Sequence, residues 1–309
     1  MRKTETVAFL SQKGGVGKTT SVVNIGAGLA ILGERVLLID FDPQAHLTHS
    51  LRILDHEVRG TIYEVIRGEA SVEDVVVRRR LGAKIRFADR EGELSVGVIP
   101  SNLSLAGAEA TLANVRGKEC LLRDVLAEYS GEFDGILIDC PPSLGLLAVN
   151  ALVAATKVVI PVQAEYLALE SLDKLEHMID VVRKRLNPGL ELAGIIVTRY
   201  DGRKILNREI VAELQEKLGG VPFETTIREN IALAEAPRCG ADIFTYRPRS
   251  HGAEDYLHLC EEILHRNRKQ DEQKNENIRP PDEQQVSEGE RAGEHKTKEE
   301  ETGDETTPE

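Results

Sequence analysis

One octapeptide, Lys13-Gly14-Gly15-Val16-Gly17-Lys18-Thr19-Thr20, constrains the fold of this chain more than any other feature. It follows the apolar run Thr6 to Leu10, which reads as a strand, and precedes a helical pattern beginning near Lys18. Strand, glycine-rich loop and helix together make an anion site. Glycines let backbone N–H groups close around phosphate, and the helix N-terminus adds a favourable dipole. In such a loop Lys18 contacts the β- and γ-phosphates of a nucleotide, and the Thr19 hydroxyl sits on Mg²⁺. Gly14, Gly15, Val16, Gly17 and Thr20 complete the expected cradle.

Four more apolar runs resemble the first: Val36 to Asp40, Gly135 to Asp139, Val158 to Val162 and Leu192 to Thr198. Short runs rich in Val, Ile and Leu fit strands buried on both faces of a parallel sheet. Helical patterns lie between them. The clearest carries Leu172, Leu175, Ile179, Val182 and Leu186 and is stopped by Asn187-Pro188-Gly189. The expected fold is therefore α/β: a doubly wound, mostly parallel sheet of P-loop NTPase type with helices on both faces and ligands at the C-terminal strand ends. The basic run Arg78-Arg79-Arg80 and the polar stretch from Asp89 to Glu93 break the pattern and read as a hairpin or loop.

The last helical pattern covers His251 to Arg268, with Ala253, Tyr256, Leu257, Cys260, Ile263 and Leu264 on one face. Cys260 thereby reads as a core residue. A single domain is expected over residues 1 to 269, and an acidic, disordered tail over 270 to 309. Of the formal net charge of −13, the tail carries −9, from 14 acidic and 5 basic residues. Four cysteines without a CxxC pair point to reduced thiols and a cytoplasmic setting. No apolar stretch reaches the roughly 20 residues of a membrane span.

The strict phosphate-loop pattern requires glycine at position 12, where this chain has Gln12. Lys13, five residues before Lys18, is poorly placed to serve the same phosphates and is suited to reach a second nucleotide across a dimer interface. Residues 13 to 20 match completely the K-G-G-x-G-K-[ST]-[ST] loop of the ParA/MinD branch of P-loop ATPases, and the chain resembles that family. The resemblance implies an ATP-dependent homodimer in which Lys13 of each subunit contacts the nucleotide of the other.

Two further stretches extend the resemblance. Asp40-Phe41-Asp42-Pro43-Gln44 is similar to the D-x-D-P-Q of the ParA/Soj group, which gives Asp42 the role of orienting the attacking water close to Mg²⁺. A carboxylate at a strand's C-terminal end beside a phosphate loop has the chemistry for this. Gly135 to Asp139 followed by Cys140-Pro141-Pro142-Ser143 is a Walker B arrangement. Asp139 there supports Mg²⁺ through water, and the loop through Gly145 acts as a γ-phosphate-sensing switch.

The resemblance to short, Soj-like ParA proteins runs from Thr6 to Arg268. It implies non-specific DNA binding in the ATP state, stimulation of hydrolysis by a ParB-type partner, nucleoid association, and a role in chromosome or plasmid partitioning. It places a DNA contact at Arg203 and puts Asn230, with the Thr198 to Asp201 turn, near the adenine. Relatives read P-R-N-V-R-L-S-E-A-P where this chain has Arg228-Glu229-Asn230-Ile231-Ala232, so both arginine positions of that motif are lost. Arg228 and Arg247, with Arg199, Lys204, Arg208 and Arg249, make up the remaining candidate patch.

Other readings stay open beside this one. A related ATPase positioning a different cellular cargo has the same architecture. A MinD-like membrane ATPase needs a C-terminal amphipathic helix, for which the last forty residues offer no apolar face. A small-molecule kinase has no use for Lys13. His46 and His49, three apart, lack an evident third metal ligand.

Overall fold

A computed structural model describes residues 4–82, 94–129, 131–165, 168–218 and 221–278. The chain divides between Glu262 and Ile263. The first unit is built on seven strands: β1 (Glu5–Phe9), β2 (Val36–Asp40), β3 (Val77–Arg80), β4 (Ser95–Ile99), β5 (Gly135–Asp139), β6 (Lys157–Gln163) and β7 (Glu191–Thr198). They form one sheet in the order β3-β4-β2-β5-β1-β6-β7. Every pairing is parallel except β3 with β4. The α/β architecture expected from the alternating pattern is thus present.

All five anticipated strands form, because their side chains are buried on both faces, as in β2 and β6. Leu37 and Ile39 enter a large apolar cluster with Leu122, Leu147, Ala151 and Leu172. Leu38, pointing the other way, packs on helix α1 (Lys18–Ile31) at Gly26, where an added Cβ would lie 2.5 Å from the Leu38 Cδ2. Alternate residues of one strand therefore bind the helical layers on the two faces.

The irregular segment takes the hairpin alternative, β3 pairing antiparallel with β4. Arg78 to Arg80 belong to β3, an antiparallel edge strand whose residues alternate between half-buried and exposed. Basic side chains suit such an edge because they discourage pairing with another chain. Its partner β4 is buried from Val96 to Ile99, although Gly97 interrupts its apolar run. The stretch from Asp89 to Glu93 lies outside the described residues.

The helix over Ala168–Arg185 ends where anticipated. Beyond it, Asn187 Nδ2 reaches the carbonyls of Leu152 and Ala155, at 2.9 and 2.7 Å, and so closes the end of the helix Leu146–Ala154. Ala253, Tyr256 and Cys260 of the last helix are buried, and the Cys260 thiol donates to Ile25 O. That helix runs His251–Ile278, past the anticipated end at Arg268, because Gln, Glu and Lys continue to favour helix there. The remaining tail, 279–309, lies outside the described residues.

Candidate nucleotide site

Strand order sets the site. β1 lies between β5 and β6, so the loop leaving Phe9 emerges at the C-terminal ends of three parallel strands. Phe9 is the register partner of Asp139, and Asp139 is that of Asp40. The phosphate-type loop and the ends of β2 and β5 are thereby brought together, although they are more than 100 residues apart in sequence at the extreme.

Gly15 and Gly17 hold φ of 77° and 85°, a left-handed backbone that glycine adopts at little cost. A Cβ added at Gly14 or Gly15 would meet nothing within 4 Å, so the space beside both residues is open. The loop's carbonyls are held from behind. Gln163 Nε2, at the end of β6, donates to Gly15 O at 2.7 Å. Thr198 Oγ1, at the end of β7, lies 2.7 Å from Val16 O and 3.0 Å from Val162 O. Tying the carbonyls outward leaves the amides of the turn to face a ligand.

The first turn of α1 meets the Walker B carboxylate. Lys18 Nζ is 2.5 Å from Asp139 Oδ1, and Thr19 Oγ1 donates to Asp139 Oδ2 at 2.7 Å. Burial by itself lowers the Lys18 pKa, but the charge and hydrogen bond of Asp139 outweigh it and hold the ammonium above its ordinary value, with Asp42 adding to that field. Lys18, Thr19, Asp42 and Asp139 therefore converge on one region. Thr20, on the same turn, receives Asn24 Nδ2 at its carbonyl.

Asp42 is buried in the turn after β2, where Oδ1 accepts the Gln44 amide at 2.9 Å. Asp40 is buried completely. Its Oδ2 accepts both the amide and the hydroxyl of Thr48, at 2.8 and 2.7 Å. Burial, then the neighbouring charge of Asp139, push its pKa up to about 7. Lys13 extends from the other side of the loop to an ion pair with Glu165, both side chains being about half exposed.

Asn230 caps the short helix Ile231–Glu235, its Oδ1 accepting the Ala232 amide at 2.9 Å. The arginines differ in setting. Arg203 forks onto Asp201, with Nε–Oδ1 at 2.9 Å and Nη2–Oδ2 at 3.0 Å. Arg228 is held by Asp255 and Glu254. Arg247 is exposed and lies over the Tyr246 ring, 5.8 Å from its centroid.

Residues 4–192 match the family described as an AAA domain. The chain is 41% identical over 257 residues to the sporulation initiation inhibitor protein Soj of Bacillus subtilis, covering 83% of this chain and 97% of that one. This chain belongs to the ParA/MinD-type P-loop ATPases. Another ParA/MinD-type relative is the chromosome partitioning protein ParA of Myxococcus xanthus, 40% identical over 260 residues, with 84% of this chain and 88% of that one covered. Among solved structures, cobyrinic acid a,c-diamide synthase from Mycobacterium smegmatis, with bound ADP and magnesium, superposes with a TM-score of 0.70 at 34% identity. The match covers 84% of this chain and 94% of the synthase.

Within this ParA/MinD-type site, three residues had no anticipated role, Asp40, Gln163 and Glu165, and Thr198 was anticipated only in a turn near the adenine. Gln163 ends β6, Glu165 follows two residues later, and Thr198 ends β7. Their position at or just past the C-terminal strand ends was the available signal, but their partners lie 148, 152 and 182 residues away. Among the described residues, no three His, Cys, Asp or Glu side chains cluster as a metal site, which includes His46 and His49. Among them, too, no helix is long and apolar enough to cross a membrane.

Proposed function

We propose that this partitioning-type ATPase is a switch that dimerises on Mg-ATP, binds DNA non-specifically as the dimer, and is reset when a ParB-type partner accelerates hydrolysis. The observation that carries this reading is the division of labour between the two lysines. Lys18 is buried against Asp139, whereas Lys13 is half exposed on the opposite side of the loop, where a second subunit has access to it.

The residues fit Mg-ATP. A loop with open space beside Gly14 and Gly15 accepts phosphate oxygens, and a cation, a hydroxyl and two carboxylates surround its end. Thr19 would hold Mg²⁺ directly, with Asp139 and Asp42 behind metal-bound water, a donor set of few protein ligands that is ordinary for this ion. Bound Mg²⁺ supplies charge stabilisation at the β- and γ-phosphates. Lys18 exchanges its carboxylate partner for phosphate oxygens. Asp42, fixed by the Gln44 amide, accepts a hydrogen bond from the attacking water and sets its direction. Lys13 leaves Glu165 and neutralises charge on the partner subunit's nucleotide. Asn230 sits near the adenine.

Arg203 and Arg247 supply exposed positive charge for DNA phosphates, with Arg228 behind them in its acidic clasp. Contacts of this kind ignore sequence and weaken with salt. The protein acts in the cytoplasm on the nucleoid, as one domain over residues 1 to 269 with an acidic tail from 270. The test is a salt-dependent DNA titration with ATP, ADP and no nucleotide. Tight binding confined to ATP supports the switch, and affinity indifferent to nucleotide, or absent at low salt, removes the DNA half of it.

A further inference from the structure

The basic residues beside the β7 end carry their own counter-ions, and one acid serves two of them. Glu229 Oε1 is 3.1 Å from Arg199 Nη2, and its Oε2 is 3.9 Å from Lys204 Nζ. Its position is fixed by backbone rather than by the ion pairs. Tyr200 N donates to Ile227 O at 3.0 Å and Glu229 N donates to Tyr200 O at 3.2 Å, so residues 227 to 229 run beside the end of β7. Arg199, with φ of 51°, turns out of the strand immediately before this pairing. Lys204 is held at the following turn by its amide, which donates to Asp201 O at 2.9 Å. The carboxylate is therefore built into the surface between two cations that come from separate stretches of chain.

We propose that Glu229 sets the affinity of this surface for a polyanionic backbone, acting as an internal substitute for one phosphate. This rests on the DNA-binding reading above and adds its control. A phosphate approaching Arg199 and Lys204 must compete with a carboxylate whose backbone is pinned beside them. The surface ion pairs themselves are weak. The obstacle is the repulsion between the carboxylate and the arriving phosphate, which at a few ångströms in water is worth about three- to tenfold in affinity. Asp201 repeats the arrangement on Arg203. The Arg203 hydrogen bonds hold that carboxyl down at about 2.

The test is double-stranded DNA binding by the full chain with Mg-ATP, titrated in salt, for the wild type, Glu229→Gln and Glu69→Gln. Glu69 pairs with Arg67 just past the helix Ile62–Ile66, which is tied to the end of β4 by Ile62 N donating to Pro100 O, so its substitution makes the same net-charge change away from β7. ATP turnover without DNA checks that each variant is folded. Glu229→Gln is expected to bind about three- to tenfold tighter, from removal of one repulsion of that size. Its dependence of log affinity on log salt should steepen by about 1 to 2, for the one or two extra phosphates neutralised. Glu69→Gln should follow the wild type. Equal affinity and slope in wild type and Glu229→Gln would overturn the role of Glu229 while leaving DNA binding in place. An equal gain in both variants would reduce the effect to net charge and overturn it as well. No binding by any variant at low salt would overturn both the proposal and the DNA reading.

Discussion

Lys18 and Asp139 form a buried ion pair at the mouth of the phosphate loop, with Nζ 2.5 Å from Oδ1 and side chains only 10% and 0% exposed. A carboxylate thus neutralises the lysine proposed to meet phosphate, and the same carboxylate holds the Thr19 hydroxyl. The pair costs desolvation on both sides and is sustained by its geometry. Removing one partner strands the other.

Lys18→Met is therefore expected to abolish nucleotide binding and also to destabilise the protein by about 3 kcal/mol, because Asp139 is left buried and unpaired. The double variant Lys18→Met/Asp139→Leu should regain most of that stability and none of the binding. Urea denaturation and nucleotide titration of the three proteins check both parts. Equal stability of the single and double variants would mean that the pair is not what the cost comes from.

Thr198→Val keeps the shape of the side chain and removes its hydroxyl from between Val16 O and Val162 O. Loss of this buried hydrogen bond should cost about 1 to 2 kcal/mol of stability. Because the loop carbonyl is released, nucleotide affinity should also fall, by about tenfold for a loss of similar size. Gln163→Leu, which frees Gly15 O, should act in the same direction. Titration calorimetry with ATP checks the prediction, and unchanged affinity in both would detach these anchors from the site.

Asp40 provides a pH signature. Its folded pKa of about 7 stands above its ordinary 3.8, so between those values the folded protein binds more protons than the unfolded chain. Stability from this group is full below about pH 4 and is lost as pH rises through about 7. Asp40→Asn should remove that downward slope. Denaturant midpoints across this range, compared between the two proteins, check the sign.

Much of this site was legible because its chemistry is local in sequence. The loop from Lys13 to Thr20 demands glycines and a lysine at fixed spacing, and Asp139 terminates an apolar strand. Five strands were legible for a similar reason, since burial on both faces leaves unbroken apolar runs. β4 was missed because Gly97 interrupts a very short run, and β3 because an edge strand exposes half of its residues. Gln163 and Glu165 carried no signal of their roles, and Thr198 none of its hold on the loop, because these arise only where β6 and β7 end beside the loop from β1. The Arg199, Glu229 and Lys204 arrangement was likewise invisible as spacing, although the loss of arginine at positions 229 and 232 was plain. The last helix was extended beyond Arg268 by residues read as tail, whose polarity conceals good helix propensity.

Asp42→Ala should leave ATP binding near wild type while lowering turnover at least about a hundredfold, the scale expected when the group directing the attacking water is lost. The ATP form should then accumulate as a long-lived dimer. Single-turnover hydrolysis together with size-exclusion chromatography checks the two halves of this prediction.

The central claim is that the two lysines of one loop serve two nucleotides. Sedimentation velocity with saturating Mg-ATP tests it most directly, comparing wild type, Lys13→Ala and Lys18→Ala, with bound nucleotide measured in the same samples. The account predicts a nucleotide-bound dimer for the wild type, a nucleotide-bound monomer for Lys13→Ala, and a nucleotide-free monomer for Lys18→Ala. A Lys13→Ala protein that dimerises on ATP as the wild type does, or that loses ATP as Lys18→Ala does, would contradict it.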